Sequence, residues 1–435
     1  MVVRIVSLVL CAVALVATAC TPDAATSSGE LGGSAADLTP VPTVSIDEIN
    51  SLEVVIAPTS VPDGPRPLVV ATLLGETGVM APLDGPALAG VAAEIDRLND
   101  EGGILGRPIE LRRFDTNSRA SLIERFAERL AEAPPDLLIT SCDTEFSEAA
   151  LMIADEVGIV TISPCADDAR YLTGALGSRN FTLGAPAEPR GELAAAVAIE
   201  RYGPTAIVLR DATSPEAIRF CDGFERTFRE LGGSVVYRDE FRYDTLEPVQ
   251  DRLAARDDQP SFITLCSHVP GGNDAAPSII AILRTLGFQS PIVAGSSLDE
   301  REWFQLVPSL GELLYVSWSS AFGNDPDERV NDVINRALEL ELMTSEAEPD
   351  PILPGVSTIL GAEAIQAWAA AAESARDVSP ERVAAALGSF NNNTIFSTGA
   401  ITFTTGARMD IGRTYRVLQV IDGELSVIAL EETEG

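Results

Sequence analysis

The stretch Asp84–Asn117, DGPALAGVAAEIDRLNDEGGILGRPIELRRFDTN, decides the fold of this chain. Its first apolar residues recur at helical spacing and define one face: Ala87, Val91, Ile95 and Leu98. Gly102 and Gly103 end this helix, because glycine adopts left-handed backbone angles at little cost. The apolar alternation from Ile109 predicts a strand that ends at Asp115, where the ligand loops of α/β folds begin.

The size and charge of the chain limit what it can be. It has 435 residues, which suits two α/β lobes better than one ordinary core. The formal net charge is −35, from 65 acidic and 30 basic residues. Such acidity argues against nucleic acid and against anionic lipid surfaces as partners.

The N-terminus has the pattern of a processing signal. Arg4 precedes the apolar run 5–16, which is too short to span a bilayer as a mature helix. The next residues, Ala17-Thr18-Ala19-Cys20, resemble a bacterial lipobox, in which Cys20 is acylated and becomes the first mature residue. An ordinary secretory signal is the alternative. We therefore expect a signal peptide over 1–19 and, from its Pro-, Ser- and Gly-rich composition, a flexible tether over 20–66.

Strand and helix patterns alternate after the tether. The strands predicted first are 68–74, 109–114, 136–141 and 160–163, with helices between them. This alternation predicts a parallel sheet with helices on both faces, and ligands bind beyond the carboxyl ends of such strands. The pattern restarts near Asn180 and predicts a second unit of similar plan. Strands are also predicted at 315–320, 399–404, 415–421 and 425–430.

Four cysteines lie in the part that is expected to fold: Cys142, Cys165, Cys221 and Cys266. Outside the cytoplasm, an even number of cysteines indicates disulfides. Cys142 and Cys165 each follow a short apolar run, so they meet at one sheet edge if those runs are neighbouring parallel strands. We favour Cys142–Cys165 and Cys221–Cys266 over the other two connectivities, with free buried thiols as the alternative. No cysteine or histidine spacing indicates a metal site.

Seven fragments in order carry a resemblance to a known family. They are the Asp84–Asn117 block, PDLLITSC, ADEVGIVTISPCA, RNFT, a helix ending in LGGSVV, LRTLGFQSPIVAG and GAITFTTGARMD. Their order and spacing resemble those of the branched-chain amino-acid binding proteins, which are type I periplasmic-type solute-binding proteins of ABC importers. The resemblance extends from about residue 67 to about residue 430.

The resemblance implies an α/β fold of two Rossmann-like lobes joined by three crossovers. Lobe 1 is expected at 67–181 plus 321–398, and lobe 2 at 182–320 plus 402–431. The crossovers are then expected near 180–184, 319–323 and 397–405. Such lobes close on a ligand by hinge motion, and the loaded form is recognised by a membrane permease.

The resemblance also implies a ligand site in the loops that follow the strands. The matching positions are Cys142, Asp143, Thr144, Cys165, Ala166 and Asp167 in lobe 1, and Asp211, Thr213, Ser214, Ser296 and Ser297 in lobe 2. Asp143 and Asp167 stand where the family has hydroxyl groups, and serine stands where it has an acid for the ligand amine. One hypothesis is a cationic or amide-like ligand, whose donors bind Asp143, Asp167 and Asp211. The alternative is that these acids face solvent or cap the helices that follow.

Three further residues are candidates for the cleft: the single histidine, His268, and the loop residues Leu83 and Phe322. The alternative for each is an ordinary loop residue, and a lone histidine without a partner is more often of that kind. No nucleophile elbow, P-loop, HExxH motif or dinucleotide fingerprint is present, so a binding protein is favoured over an enzyme, with no cofactor. We expect an extracytoplasmic monomer, lipid-anchored to the cell membrane, that binds a small-molecule ligand and meets an ABC permease. A lipid-anchored sensor with the same fold is the alternative.

Overall fold

A computed structural model describes residues 53–56, 65–242, 245–257, 259–267, 275–299, 307, 310–340, 354–396, 398–404, 406–421 and 423–432. All of these residues belong to one compact unit. Its helices are α1 (Ala81–Asp100), α2 (Ala120–Glu132), α3 (Glu148–Val157), α4 (Ala187–Tyr202), α5 (Pro215–Glu230), α6 (Glu247–Ala254), α7 (Ala275–Thr285), α8 (Glu328–Glu339), α9 (Val356–Ala375) and α10 (Pro380–Leu387). No helix in these ranges is long and apolar enough to cross a membrane.

The first sheet has six strands. They are β1 (Glu53–Ile56), β2 (Leu68–Leu74), β3 (Ile109–Asp115), β4 (Leu137–Thr140), β5 (Thr161–Ser163) and β6 (Asn180–Thr182). Their spatial order is β1-β3-β2-β4-β5-β6, and all pairs are parallel except β1 with β3. β2 is buried along its whole length, as expected for a strand covered by helices on both faces.

Strand β1 corrects the prediction of a flexible tether over 20–66. Glu53–Ile56 pairs antiparallel with β3, with Glu53 opposite Phe114 and Ile56 opposite Leu111. The prediction fails for these four residues because β3 otherwise presents an open edge, and the β-branched run Val54-Val55-Ile56 suits extended pairing. The rest of the predicted tether, apart from 65–66, and the predicted signal peptide lie outside the described residues.

The second sheet has seven strands. They are β7 (Thr205–Asp211), β8 (Ser234–Phe241), β9 (Phe262–Cys266), β10 (Ile292–Ala294), β11 (Leu313–Ser317), β14 (Thr414–Ile421) and β15 (Glu424–Glu432). The spatial order is β15-β14-β11-β10-β9-β7-β8. The five strands from β7 to β11 run parallel, whereas β14 pairs antiparallel with β11, and β15 pairs antiparallel with β14. The short strands β12 (Asn393–Phe396) and β13 (Gly399–Ile401) form a separate hairpin.

The chain passes between the two sheets three times. It leaves the first sheet after β6, leaves the second after β11 to form α8, α9 and α10, and returns through the β12–β13 hairpin to β14. The helices α8 and α9 pack on α1, so they belong to the lobe of the first sheet. This is the predicted architecture of two α/β lobes joined by three crossovers.

Each lobe contains a pair of helices that approach closely at glycine. A β-carbon built on Gly90 of α1 would lie 1.8 Å from the carbonyl oxygen of Thr358 in α9. In the other lobe, a β-carbon on Gly191 of α4 would lie 2.0 Å from the carbonyl oxygen of Phe220 in α5. Only glycine allows these distances, so both helix pairs depend on residues without side chains.

Candidate functional site

The candidate site lies at the carboxyl ends of the parallel strands of both lobes. The first lobe contributes the loops after β2, β4 and β5, and the second contributes those after β7, β9 and β10. The carboxyl ends of parallel strands lie at the same edge of a sheet, and open α/β folds bind ligands beyond this edge.

Two disulfides stabilise these loops, and they are the pairings that the sequence favoured. Cys142–Cys165 joins the loops after β4 and β5, with the Cα atoms 4.7 Å apart. Cys221–Cys266 joins α5 to the end of β9, with the Cα atoms 5.7 Å apart. Leu83 of α1 packs with Cys142 and Cys165 in one small apolar cluster, so three of the predicted site residues come together.

Asp84 is a site residue that the sequence analysis missed. Its side chain is fully buried, and its two carboxylate oxygens accept the backbone N–H groups of Gly75 at 2.8 Å and Cys142 at 2.9 Å. Burial raises the pKa of Asp84 to about 7, although the two N–H groups oppose this shift. The N–H group of Cys142, two residues beyond β4, is therefore bound by the protein itself.

The loop after β4 is organised by local hydrogen bonds. Asp143 is half-buried, and its Oδ1 accepts the N–H of Glu145 at 2.7 Å. The carbonyl of the buried Thr144 accepts the N–H groups of Ser147 and Glu148 at 3.0 and 2.9 Å. Asp143 therefore stabilises the turn before α3 rather than capping the first turn of the helix itself.

The loop after β5 contains two adjacent acids with different partners. Asp167 binds Arg219 of α5, with Oδ2 2.6 Å from Nη2, whereas Asp168 binds Arg170 within its own loop at 2.7 Å. Asp168 also caps the short 3₁₀ turn 169–171. Ala166 is buried, and its carbonyl accepts the hydroxyl of Thr182 at 2.6 Å. The acids at the two loop positions are thus already paired with guanidinium groups.

The last residue of β7 has a carboxylate oxygen without a partner among the described residues. Asp211 is fully buried, and its Oδ1 accepts both the N–H and the hydroxyl of Thr213, at 2.9 and 2.6 Å. Its Oδ2 has no hydrogen-bond partner in the part of the chain that the structure describes. Ser214, not Asp211, caps α5, because its hydroxyl accepts the N–H of Ala217.

A second unpaired oxygen lies on the neighbouring strand. Arg210 is paired in register with Cys266, so Asp211, the last residue of β7, and Ser267, the residue after β9, occupy adjacent positions. The hydroxyl of the buried Ser267 also lacks a partner among the described residues. The carbonyl of Ser267 is different, since it accepts the hydroxyl of Ser297 at 2.6 Å.

Arg190 of α4 is a further residue that the sequence analysis missed. It is buried, donates to Ser296 Oγ, and pairs with Glu216 at 2.6 Å. Its guanidinium carbon lies 4.3 Å from the centroid of the Trp318 ring, within the range of a cation–π contact. Ser296 is thus bound by a cation of the same lobe. Several charged residues lie on this helix, so no local signal in the sequence distinguished Arg190.

Two predicted site residues remain, Phe322 and His268. Phe322 is half-buried in the crossover after β11. His268 lies outside the described residues. Within the described ranges, no three acidic, histidine or cysteine residues lie close enough to hold a metal ion.

Three solved structures of similar architecture are solute-binding proteins. The LivJ substrate-binding protein of a branched-chain amino acid transporter from Streptococcus pneumoniae, in complex with isoleucine, matches with TM-score 0.66 and 18% identity, over 84% of this chain and 99% of that one. The leucine-binding protein LivK from Thermotoga maritima matches with TM-score 0.65 and 20% identity, over 83% and 98%. An ABC-transporter solute-binding protein from Rhodopseudomonas palustris with 3,4-dihydroxybenzoic acid matches with TM-score 0.68 and 13% identity, over 84% and 97%.

These likenesses show the fold. No curated protein matches the chain. The family model described as periplasmic binding protein matches residues 67–424, which is most of the sequence and includes both lobes. The chain therefore belongs to the periplasmic binding protein family.

Proposed function

We propose that this protein captures a small polar ligand in the cleft between its lobes and delivers it to an ABC importer. The proposed cellular location is outside the cytoplasm, with Cys20 acylated and the mature chain anchored to the cell membrane. Residues 67–181 plus 321–398 would form the first lobe, and 182–320 plus 402–431 the second. Membrane fractionation of a Cys20→Ala variant tests the anchor, since loss of the acyl chains should release the protein.

The unpaired Oδ2 of the buried Asp211 is the observation that carries the proposed ligand class. A buried polar atom without a partner costs free energy, so natural proteins retain few of them. The adjacent hydroxyl of Ser267 is unpaired as well. A carboxylate and a hydroxyl on one strand edge suit a ligand that brings N–H donors, such as an ammonium, guanidinium or amide group.

The loops near the first lobe support the same ligand class, because two groups that could bind an anion already have partners within the protein. The N–H of Cys142 is bound to Asp84, and the nearby Arg219 is paired with Asp167. A ligand with only a carboxylate would therefore meet Asp143 and Asp167, while the N–H of Cys142 and the guanidinium of Arg219 are already engaged. Repulsion between carboxylates in a desolvated site is strongly unfavourable.

Calorimetric titration of the full chain with a set of chemically distinct compounds tests the proposal. The set is arginine, putrescine, glutamine, leucine and benzoate, which range from cationic to purely anionic. We expect binding of at least one compound with an extra cationic or amide group, weakened about tenfold or more in Asp211→Asn because a charged acceptor is lost. Asp222→Asn is the control, since Asp222 is an exposed acid on α5 of the same lobe.

Two results would contradict this function. Tight binding of benzoate or leucine, with equal affinity in Asp211→Asn, would show that the ligand does not use this carboxylate. Absence of binding across the whole set, in protein that unfolds cooperatively, would argue against capture of such ligands.

A further inference from the structure

One ion pair connects the two lobes through their cleft-side elements. Asp167 follows β5 of the first sheet, and Arg219 lies on α5, which packs on the second sheet. Arg219 Nη2 lies 2.6 Å from Asp167 Oδ2 and also donates to the backbone carbonyl of Asp167 at 3.2 Å. One guanidinium nitrogen thus binds both the side chain and the main chain of a residue in the opposite lobe.

Both partners are partly withdrawn from solvent. The side chain of Asp167 is 18% exposed and that of Arg219 is 26% exposed. Burial raises the pKa of Asp167, the charge of Glu216 raises it further, and Arg219 opposes both effects. A pair at this depth is screened less by salt than a fully exposed pair, but water still reaches both groups.

The other acids that act on Arg219 belong to its own lobe. Glu216 lies one turn earlier on α5 and pairs with Arg190 at 2.6 Å. The charges of Glu216 and Glu188 also act on Arg219. Asp167 is therefore the acid of the first lobe that binds Arg219, whereas Glu216 and Glu188 belong to the same lobe as Arg219.

The neighbouring acid shows that the contact is specific to one position. Asp168 pairs with Arg170 at 2.7 Å and accepts the N–H of Arg170 at 2.8 Å. Its hydrogen bonds stay within one loop of the first lobe, and Arg219 acts on it only through its charge. Two adjacent carboxylates thus have separate roles, one inside a lobe and one between lobes.

We propose that the Asp167–Arg219 pair is an interlobe latch, which favours the closed arrangement of the lobes before any small molecule binds. Opening of the lobes hydrates both charges, so the pair stabilises the closed arrangement only modestly. We expect it to raise the ratio of closed to open protein about three- to tenfold. Ligand binding then acts on an equilibrium that already favours closure, and less of its binding energy is needed to complete it. The latch concerns lobe motion and holds for any ligand class.

Distance measurement between the lobes tests the latch without a ligand. Spin labels are introduced as non-natural amino acids at Met152 on α3 and Val236 on β8, which are exposed on different lobes. Electron–electron double resonance then compares the full chain, free of small molecules by native mass spectrometry, with Asp167→Asn and Arg219→Gln. We expect each variant to raise the open population about three- to tenfold, and the double variant Asp167→Arg with Arg219→Asp to restore part of the closed population.

Asp168→Asn is the matched control, and it should shift the distance distribution much less than Asp167→Asn, because Asp168 makes no hydrogen bond to Arg219 among the described residues. Raising NaCl from about 0.05 M to about 1 M should also open the unmodified protein, a readout that needs no folded variant. The latch is refuted if the unmodified protein does not respond to salt and both single variants keep its distribution. It is also refuted if Asp168→Asn opens the lobes as much as Asp167→Asn does.

Discussion

At the scale of single residues, a buried charge network connects the two lobes near the third crossover. Glu363 of α9 and Arg413, just before β14, are both fully buried, and Oε2 lies 2.8 Å from Nη1. The other oxygen of Glu363 accepts the N–H and the hydroxyl of Thr398, both at 2.6 Å. These three contacts of the carboxylate are all made with the segment that enters the second sheet.

Glu363→Gln is expected to destabilise the protein by about 1–3 kcal/mol, because it removes one of the two buried acids that pair with the guanidinium of Arg413, the other being Asp410. Urea unfolding measures the change through the transition midpoint. The control is Glu381→Gln, since Glu381 is exposed and lies 3.4 Å from Arg179. We expect the control to change stability by about 0.5 kcal/mol or less. Equal effects of the two substitutions would mean that burial does not strengthen the Glu363 pair.

At the scale of helices and strands, the close packing of α1 on α9 depends on glycine at the crossing. The approach is reciprocal, because a β-carbon on Gly361 of α9 would lie 2.1 Å from the carbonyl oxygen of Ala87 in α1. The pair α4 and α5 repeats this arrangement in the second lobe through Gly191 and Gly223. Each lobe therefore contains a helix pair that can pack this closely only because glycine lies at the crossing.

Gly90→Ala is expected to lower the free energy of unfolding by about 1–3 kcal/mol or more, because the added methyl group overlaps the backbone of Thr358 and the helices must separate. Thermal unfolding followed by circular dichroism measures the loss. Gly406→Ala is the control, since nothing lies within 4 Å of a β-carbon built there. If both variants unfold at the same temperature, α1 and α9 are free to separate at no cost.

The order of elements was predictable from local pattern, whereas some of their limits were not. The helix, glycine turn and strand of 84–117 were recognised because each signal is carried by residues close in sequence. The helix nevertheless begins earlier, at Ala81. The strand predicted at 315–320 is Leu313–Ser317, because the chain turns away from the sheet at Trp318 to begin a crossover. Strand limits depend on the neighbouring strands, which local pattern does not report.

At the scale of the whole molecule, three buried acids in different parts of the fold titrate near neutral pH. Burial raises the pKa of Asp84 to about 7, of Asp299 to about 7 and of Asp410 to about 6. Between the ordinary carboxyl pKa and these values, the folded protein keeps protons that the unfolded chain has released. Unfolding then releases protons, so a rise in pH through this range favours the unfolded chain.

We therefore expect the free energy of unfolding to fall as pH rises from about 5 to about 7.5, measured by urea unfolding at constant ionic strength. Asp299→Asn should flatten this slope, because an amide does not titrate and its oxygen still accepts the hydroxyl of Tyr315. Well below pH 4 the trend reverses, since arginine neighbours lower the pKa of Asp168 and Asp327, whose contributions are lost on protonation. Stability that is constant or rising between pH 5 and pH 7.5 would contradict this account.

The sequence by itself determined the two-lobed α/β fold, the family and the favoured cysteine pairing, because helical periodicity, glycine turns and strand ends are local signals. Only the tertiary structure decided what the acids near the cleft do. Asp167 and Arg219 are 52 residues apart in sequence. Asp84 reaches the N–H of Cys142 58 residues away. Whether a carboxylate is paired, buried or open to a ligand depends on which distant groups surround it in three dimensions, and no local pattern contains that information.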